Sequence, residues 1–303
     1  METRRIGSLT VSLVGLGCNN FGGRIDAERT QAVVDAAIDA GVTLFDTADV
    51  YGGGGASEEL LGRALGSRRD DVVVATKFGM PMGEGLAGAH PDYVRSACEA
   101  SLRRLGTDRI DLYQLHAPDP SVAVDDTIAA LRALQDEGKV VEIGCSNFPP
   151  DALDGRWSTV QNEVSLLRRK GLEELVAACE RHGLGILPYF PLASGMLTGK
   201  YRRGEAPPDG TRLAGMPAER RDKALSDRAF DTVEALTAFA ESRGRTILEL
   251  AMSWLAGVPC MASVIAGATS PEQVRANAAA VGWVLTDHER AEVDRLTAYG
   301  PAA

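Results

Sequence analysis

Four side chains that can cooperate on one proton are spaced along the first 116 residues. Leu44-Phe-Asp46-Thr-Ala-Asp49-Val-Tyr51-Gly52 sets an acid and a tyrosine five residues apart, just past a short apolar run. Ala75-Thr-Lys77 and Leu112-Tyr-Gln-Leu-His116 close two further apolar runs. A free tyrosine has a pKa near ~10 and gives up its proton poorly at neutral pH. An ammonium beside it favours the phenolate and lowers that value. Lys77 can supply the charge, Asp46 can hold Lys77, and His116 can orient a substrate oxygen and help move the proton. Tyr51 is then expected to act as a general acid toward a carbonyl. Each residue alone has an ordinary structural role: Asp46 as a turn former, Tyr51 as packing beside Gly52-Gly-Gly-Gly55, His116 as a structural imidazole. Their succession, each at a strand end, favours chemistry.

Short apolar runs that read as strands must position these groups. They are Ser12–Gly15, Thr43–Asp46, Val72–Ala75, Ile110–Tyr113, Val140–Ile143, Thr159–Gln161, Gly185–Pro188 and Ser263–Ala266. Amphipathic segments separate them: Val94, Ala97, Cys98, Ser101, Leu102 and Leu105 recur at helical spacing, as do Leu172, Leu175, Val176 and Cys179, and Ile247, Leu250, Ala251 and Trp254. Gly41, Gly106, Gly138 and Gly183 follow helical patterns as terminators. Eight strand–helix units in series predict a parallel α/β sheet, and eight is the number that closes a (β/α)8 barrel. An open doubly wound sheet is the alternative. Arg4–Ser12 reads as a short β-hairpin ahead of the first strand. From Ala193 to about Ser226 the chain is rich in Gly, Pro and charge, and is expected to form a long flexible loop over a ligand, after strand 7. No linker divides residues 1–303, so one domain is expected.

The bulk composition narrows the function. Lys and Arg total 32 against 42 Asp and Glu, a formal charge of −10. That disfavours nucleic acid as a partner. No apolar run is long enough to span a membrane, and Met1-Glu-Thr-Arg-Arg lacks the apolar core of a signal peptide. A cytoplasmic protein with no membrane partner is expected. The cysteines 18, 98, 145, 179 and 260 show no CxxC pairing and no metal-like spacing with histidine, so reduced thiols and no metal are expected.

Phe45–Gly52, Ser57-Glu-Glu-Leu-Leu-Gly62, Thr76-Lys77, Gln114-Leu-His116, Gly144-Cys-Ser-Asn-Phe148, Val160-Gln-Asn-Glu163, Tyr189-Phe-Pro-Leu-Ala193 and Ala266–Gln273 together resemble the aldo-keto reductases. The match covers essentially the whole chain in order. The resemblance implies a TIM-like barrel that reduces a small aldehyde or ketone with a nicotinamide cofactor, usually NADPH. It implies a catalytic tetrad of Asp46, Tyr51, Lys77 and His116, with Tyr51 as proton donor. Oxidation of an alcohol or sugar with NAD on the same site, and a slow cofactor-binding regulatory subunit, are the alternatives.

By the same resemblance, Ser146, Asn147 and Gln161 would hold the nicotinamide carboxamide. Tyr189 would stack on its ring, with Phe190 following. Leu192, Ala193, Gly195 and Lys200 would cross the pyrophosphate, and Gly17, Cys18 and Asn19 would lie by the nicotinamide ribose. Gly267, Thr269, Ser270, Gln273 and Asn277 would meet the adenosine end. Ser270, Pro271 and Gln273 independently read as an N-cap, a first helical proline and a capping-box partner, and a helix start is a ready anion site. Many relatives carry Lys and Arg where this chain has Gly267 and Gln273, cations that would pair with the 2′-phosphate of NADPH. Val164 stands where many have an aromatic. Gly15-Leu-Gly17 lacks the third glycine of a Rossmann fingerprint. Phe21, Tyr51, Phe78, His116, Phe148 and Phe190 are expected to line a partly aromatic pocket.

Overall fold

A computed structural model describes residues 1–298. Its backbone divides into two compact units, one of Met1–Asn162, Glu173–Tyr189 and Pro259–Ala278, the other of Glu163–Leu172, Phe190–Val258 and residues 279–298.

The first unit opens on an antiparallel hairpin, β1 (Thr3–Ile6) and β2 (Leu9–Ser12). The two strands meet across Gly7-Ser8, with Gly7 at φ 53° as tight hairpin loops require. Eight parallel strands follow: β3 (Val14–Gly17), β4 (Leu44–Asp46), β5 (Val73–Phe78), β6 (Ile110–Leu115), β7 (Val140–Ser146), β8 (Thr159–Gln161), β9 (Gly185–Ile186) and β10 (Val264–Gly267). Their order is β10-β3-β4-β5-β6-β7-β8-β9. Ile186 joins the two ends of this sheet: its N–H donates to Cys260 O at 2.7 Å and its carbonyl accepts from Ala262 N at 2.9 Å. This is the (β/α)8 barrel, with its N-terminal hairpin. Helices Ala27–Asp39, Ala56–Leu65, Pro91–Leu105 and Val124–Asp136 follow β3, β4, β5 and β6, as crossovers between parallel strands demand. Gly41, Gly106, Gly138 and Gly183 all have positive φ, as their helix-terminating positions predict.

Apolar residues fill one end of the barrel. Ile6 and Val11 of the hairpin pack with Leu44, Ala75, Leu112, Leu187, Ala262 and Ile265. Glu142 latches the hairpin there. One carboxylate oxygen accepts from Ser8 N–H and Ser8 Oγ, both at 2.7 Å, and the other accepts from Ser158 Oγ at 2.5 Å. The single strand expected at Ser12–Gly15 is instead split between β2 and β3. Ser12 and Thr43 explain the break: each backbone N–H donates to the other's hydroxyl, at 2.9 and 2.8 Å, so side chains replace the strand ladder.

The second unit is helical. Ala218–Ala224, Asp227–Glu241, Ile247–Ala256 and Asp287–Thr297 are its main helices. Thr246 with Glu249 and Thr286 with Glu289 form capping boxes that start the last two. Arg243 binds Glu289 at 3.1 Å and Glu292 at 2.9 Å. The stretch from Ala193 to Ser226 is more ordered than its composition suggests. Ala193–Thr198 forms 3-10 turns and Ala218–Ala224 an α-helix. That helix buries no residue, so it has no apolar period to read; Glu219 in its first turn and Arg221 and Lys223 in its last suit the helix dipole.

Candidate active site

β4, β5 and β6 are neighbours, so Asp46, Lys77 and the residue after Leu115 arrive at one end of the barrel. The β4–β5 ladder continues beyond Asp46. Thr47 N–H donates to Ala75 O at 2.8 Å and Asp49 N–H to Lys77 O at 3.1 Å. This pins the segment that leads into the turn Tyr51–Gly54. Gly52 must be glycine there: its φ is 71°, and a Cβ would lie 2.7 Å from Phe21 O.

Lys77 is fully buried. Its ammonium donates to Asp46 Oδ2 and Thr47 O, each at 2.8 Å, and to the Tyr51 hydroxyl at 3.4 Å. The same nitrogen is 4.9 Å from the centre of the Tyr51 ring. His116 meets Tyr51 edge-on, with ring centres 5.8 Å apart. The four sequence-predicted residues are thus brought together. Burial depresses the Lys77 ammonium, but Asp46 and Tyr51 outweigh it and raise its pKa, so the charge persists. Burial also raises the Tyr51 phenol, and Lys77 only partly opposes this, so the net direction is upward. The expected lowering is corrected: desolvation wins over the ammonium. Burial, reinforced by Lys77, holds His116 down to about 3, a neutral imidazole. His116 Nδ1 is buried without a hydrogen-bond partner among the described residues.

Asp46 Oδ1 accepts from Gln161 Nε2 at 2.8 Å and from Gln114 Nε2 at 3.3 Å. Gln161 leads to a polar patch. Ser146 Oγ donates to Gln161 O at 2.7 Å. Asn147, held at φ 61°, donates from Nδ2 to His116 O at 2.9 Å and to Ser146 Oγ at 3.1 Å. Tyr189 OH donates to Asn147 Oδ1 at 2.8 Å. A hydroxyl, two primary amides and an aromatic ring therefore sit beside the tetrad, a donor-and-acceptor set that suits a carboxamide on a planar ring.

This arrangement coincides with a family match: residues 13–298 fit the Aldo/keto reductase family. The chain belongs to the aldo/keto reductase family. It is an oxidoreductase of carbonyl and alcohol groups that works with a nicotinamide cofactor. Among its relatives, a probable voltage-gated potassium channel subunit beta from Arabidopsis thaliana is 32% identical over 93% of this chain and 91% of its own. An aldo-keto reductase from Bacillus subtilis (strain 168) is 31% identical over 95% and 90%. The solved structure of a glycerol dehydrogenase from Gluconobacter oxydans superposes with a TM-score of 0.85 at 31% identity, over 98% of this chain and 95% of that one.

Other positions expected to bind cofactor in this aldo/keto reductase lie on or beside β3 and β10. Gly17 pairs with both Asp46 and Gly267, and Cys18 N–H donates to Asp46 O at 2.8 Å. Burial drives the Cys18 thiol well up, which makes it inert. A Cβ on Gly267 would come 3.3 Å from Asn20 Nδ2 and 3.5 Å from Asn19 Oδ1. Helix Pro271–Ala279 begins where expected, and Ser270 Oγ accepts from Gln273 N–H at 3.4 Å. The return bond differs from the expected capping box: Gln273 Oε1 accepts from Thr269 N–H at 2.9 Å and Thr269 Oγ1 at 3.2 Å. Asn277 is buried on this helix.

Phe190, Leu192, Ala193, Gly195 and Lys200 belong to the second unit. Within it, Phe190, Ala193 and Ser194 hold φ of 51°, 45° and 57°, uncommon for side-chain-bearing residues. Lys200 lies over Gly195, where a Cβ would strike its Cε at 2.6 Å, and Arg212 stacks 5.2 Å from the Phe190 ring centre. Three of the aromatics expected at the barrel mouth are deeply packed. Phe21, Phe78 and Phe148 are buried packing residues, with Phe78 on Tyr113 at 4.7 Å and Phe148 on Trp157 at 5.6 Å. Gln114, which bonds Asp46, is a site residue beyond those expected from the sequence. Period-2 alternation from Leu112, which packs inside the barrel, was the available signal.

Proposed function

We propose that this chain reduces a small aldehyde or ketone to an alcohol, reversibly, with NADPH, and that Tyr51 donates the proton. The observation that carries the reading is the buried Lys77 ammonium shared between Asp46 and the Tyr51 hydroxyl. Bound in reduced form, the nicotinamide supplies a hydride to the carbonyl carbon. Tyr51 gives its O–H proton to the carbonyl oxygen as negative charge builds there, and Lys77 steadies the phenolate left behind. The raised phenol pKa does not prevent this. An alkoxide is about as basic as hydroxide and far more basic than a phenolate, so a phenol can still pass its proton to it. His116 is a poor alternative donor. With a pKa of about 3 its charged form is scarce at neutral pH, by a factor of roughly 10⁴. As a neutral ring it suits orientation of the substrate oxygen.

Ser146, Asn147, Gln161 and Tyr189 are proposed to hold the nicotinamide end. Gly17, Cys18 and Asn19 would flank its ribose, and Gly267, Thr269, Ser270, Gln273 and Asn277 the adenosine end. The left-handed residues between Phe190 and Ser194 support a binding role for that segment together with Leu192, Gly195 and Lys200, since backbone strain concentrates at functional sites. For NADPH, Ser270 and the amide end of its helix stand in for the missing cations at Gly267 and Gln273. The reading keeps residues 1–303 as one domain, supported by a family match over residues 13–298 that runs through both units, and places the protein in the cytoplasm.

The test is loss of reduced-nicotinamide absorbance, with NADPH and NADH in parallel, against a panel of aldehydes and ketones. Tyr51→Phe should keep cofactor affinity and lose about 10²–10⁴ of the rate; retained turnover would remove Tyr51 from the acid role. The potassium-channel β-subunit relatives favour a second reading, a cofactor-binding subunit with slow turnover. Tight NADPH binding with no turnover across the panel would support it instead. The glycerol dehydrogenase likeness favours an NAD-linked alcohol or sugar oxidation on the same residues, which faster NADH turnover would indicate.

A further inference from the structure

Asp49 is a buried acid that the mechanism leaves unused. It is 1% exposed, and neither carboxyl oxygen has a hydrogen-bond partner among the described residues. The Val50 amide faces the carboxyl and lowers its pKa, short of hydrogen-bonding geometry. Its surroundings are charged on several sides. From helix Ala56–Leu65, the buried Glu58 repels a charge on it; from helix Pro91–Leu105, Arg104 attracts one. Lys77 on β5 attracts it more weakly. Tyr113 on β6 and Tyr93 on helix Pro91–Leu105 also feel its charge. Arg104, however, is committed elsewhere. Its Nε donates to Glu58 Oε2 at 2.6 Å and its Nη2 to Ser101 Oγ at 3.2 Å, while Glu58 Oε1 accepts from Thr76 Oγ1 at 2.5 Å. Two buried carboxyls thus compete for one guanidinium, and Glu58 holds it.

The backbone of Asp49 connects this competition to Tyr51. Asp49 N–H on Lys77 O is the last rung joining the β4 extension to β5, and Tyr51 N–H closes the turn on Ala48 O at 3.2 Å. We propose that Asp49 is a positioning residue for Tyr51, which holds the catalytic turn against β5 while its carboxyl is neutral and releases it on ionisation. A buried carboxylate with no donor cannot stay as it is. Ionised, it must draw Arg104 from Glu58, draw Lys77 from Asp46 and Tyr51, or swing its turn toward water with Tyr51 attached. The last two outcomes lengthen the 3.4 Å contact between Lys77 and the phenol, and Glu58's hold on Arg104 favours them over the first. The titration falls in a useful range. Burial, with Glu58 adding to it, holds the Asp49 acid up to about 7. The proposal rests on Tyr51 as the proton donor.

The experiment compares pH profiles of wild type and Asp49→Asn, which is permanently neutral and nearly the same shape, with the panel aldehyde turned over fastest. Wild-type kcat should fall above neutrality, by up to about thirtyfold at about pH 8.5 for a group with a pKa of about 7. Asp49→Asn should lose that limb and keep the KM for NADPH. Superimposable profiles would overturn the proposal. Carbon-13 NMR of wild type labelled at aspartate carboxyls gives a readout free of activity and of the variant's folding. One carboxyl should titrate near neutrality; if all titrate in the ordinary range, the proposal fails. Turnover retained by Tyr51→Phe would instead sink the proton-donor reading and leave the NMR result standing.

Discussion

Acid should destabilise this barrel through His116 by an amount that can be worked out. The imidazole sits at about 3 in the folded chain against an ordinary 6.5. Between those values the unfolded chain binds more protons, so the contribution is complete above 6.5 and is lost as the pH falls toward 3. Going from about pH 7.5 to about pH 4.5 should therefore cost about 2–3 kcal/mol through this group. Asp49 works in the opposite direction. Its folded value of about 7 lies above the ordinary 3.8, so its contribution is complete below 3.8 and is lost as pH rises through 7. The two terms are of similar size, and the wild-type curve conceals both. His116→Gln separates them. Urea unfolding followed by circular dichroism should show the variant gaining about 2–3 kcal/mol relative to wild type between the two pH values. A difference that stays constant to within about 0.5 kcal/mol would refute a neutral, desolvated His116.

Other consequences follow from named contacts. Lys77→Met strips Asp46 of its buried cation and should cost about 3–5 kcal/mol in urea unfolding, together with nearly all turnover; a stable, inactive variant would show that the ion pair serves catalysis alone. Asp49→Asn should lose stability relative to wild type as pH falls from about 7.5 to about 4.5, by about 3 kcal/mol, the mirror image of His116→Gln. Glu142→Ala frees Ser8 and Ser158 at the hairpin and should cost about 1–3 kcal/mol with kcat unchanged, since the latch and the tetrad involve separate residues.

Much of the fold and the tetrad was legible because both are written in local patterns. Each barrel strand is a short apolar run, each terminating glycine sits where a helix pattern stops, and Asp46, Lys77 and His116 fall at run ends. What escaped depends on partners distant in sequence. The direction of the Tyr51 pKa needed the depth of its burial, which no spacing reveals. Glu58 entered only within the Ser57–Gly62 motif; only the fold sets it between Thr76 and Arg104 and leaves Asp49 without a hydrogen-bonded cation. The split between β2 and β3 turns on Ser12 meeting Thr43 across 31 residues. Helix Ala218–Ala224 buries nothing, so apolar period could not mark it.

Asp46 is where the two halves of the proposed chemistry meet. One of its oxygens takes Lys77, which faces the phenol, and the other takes Gln161, which leads through Ser146 and Asn147 to Tyr189. A proton donor and a hydride donor must reach one carbonyl from fixed positions, and misplacement by about 1 Å can cost about 10² in rate. A single buried carboxylate bonded to both sides sets their separation directly. It also explains why Asp46 takes donors on each oxygen: an amide there would present its own N–H groups to Lys77 or to Gln161 and break one link. The carboxylate thus contributes geometry as well as charge, and the strand ends of β4, β5, β6 and β8 make that geometry rigid.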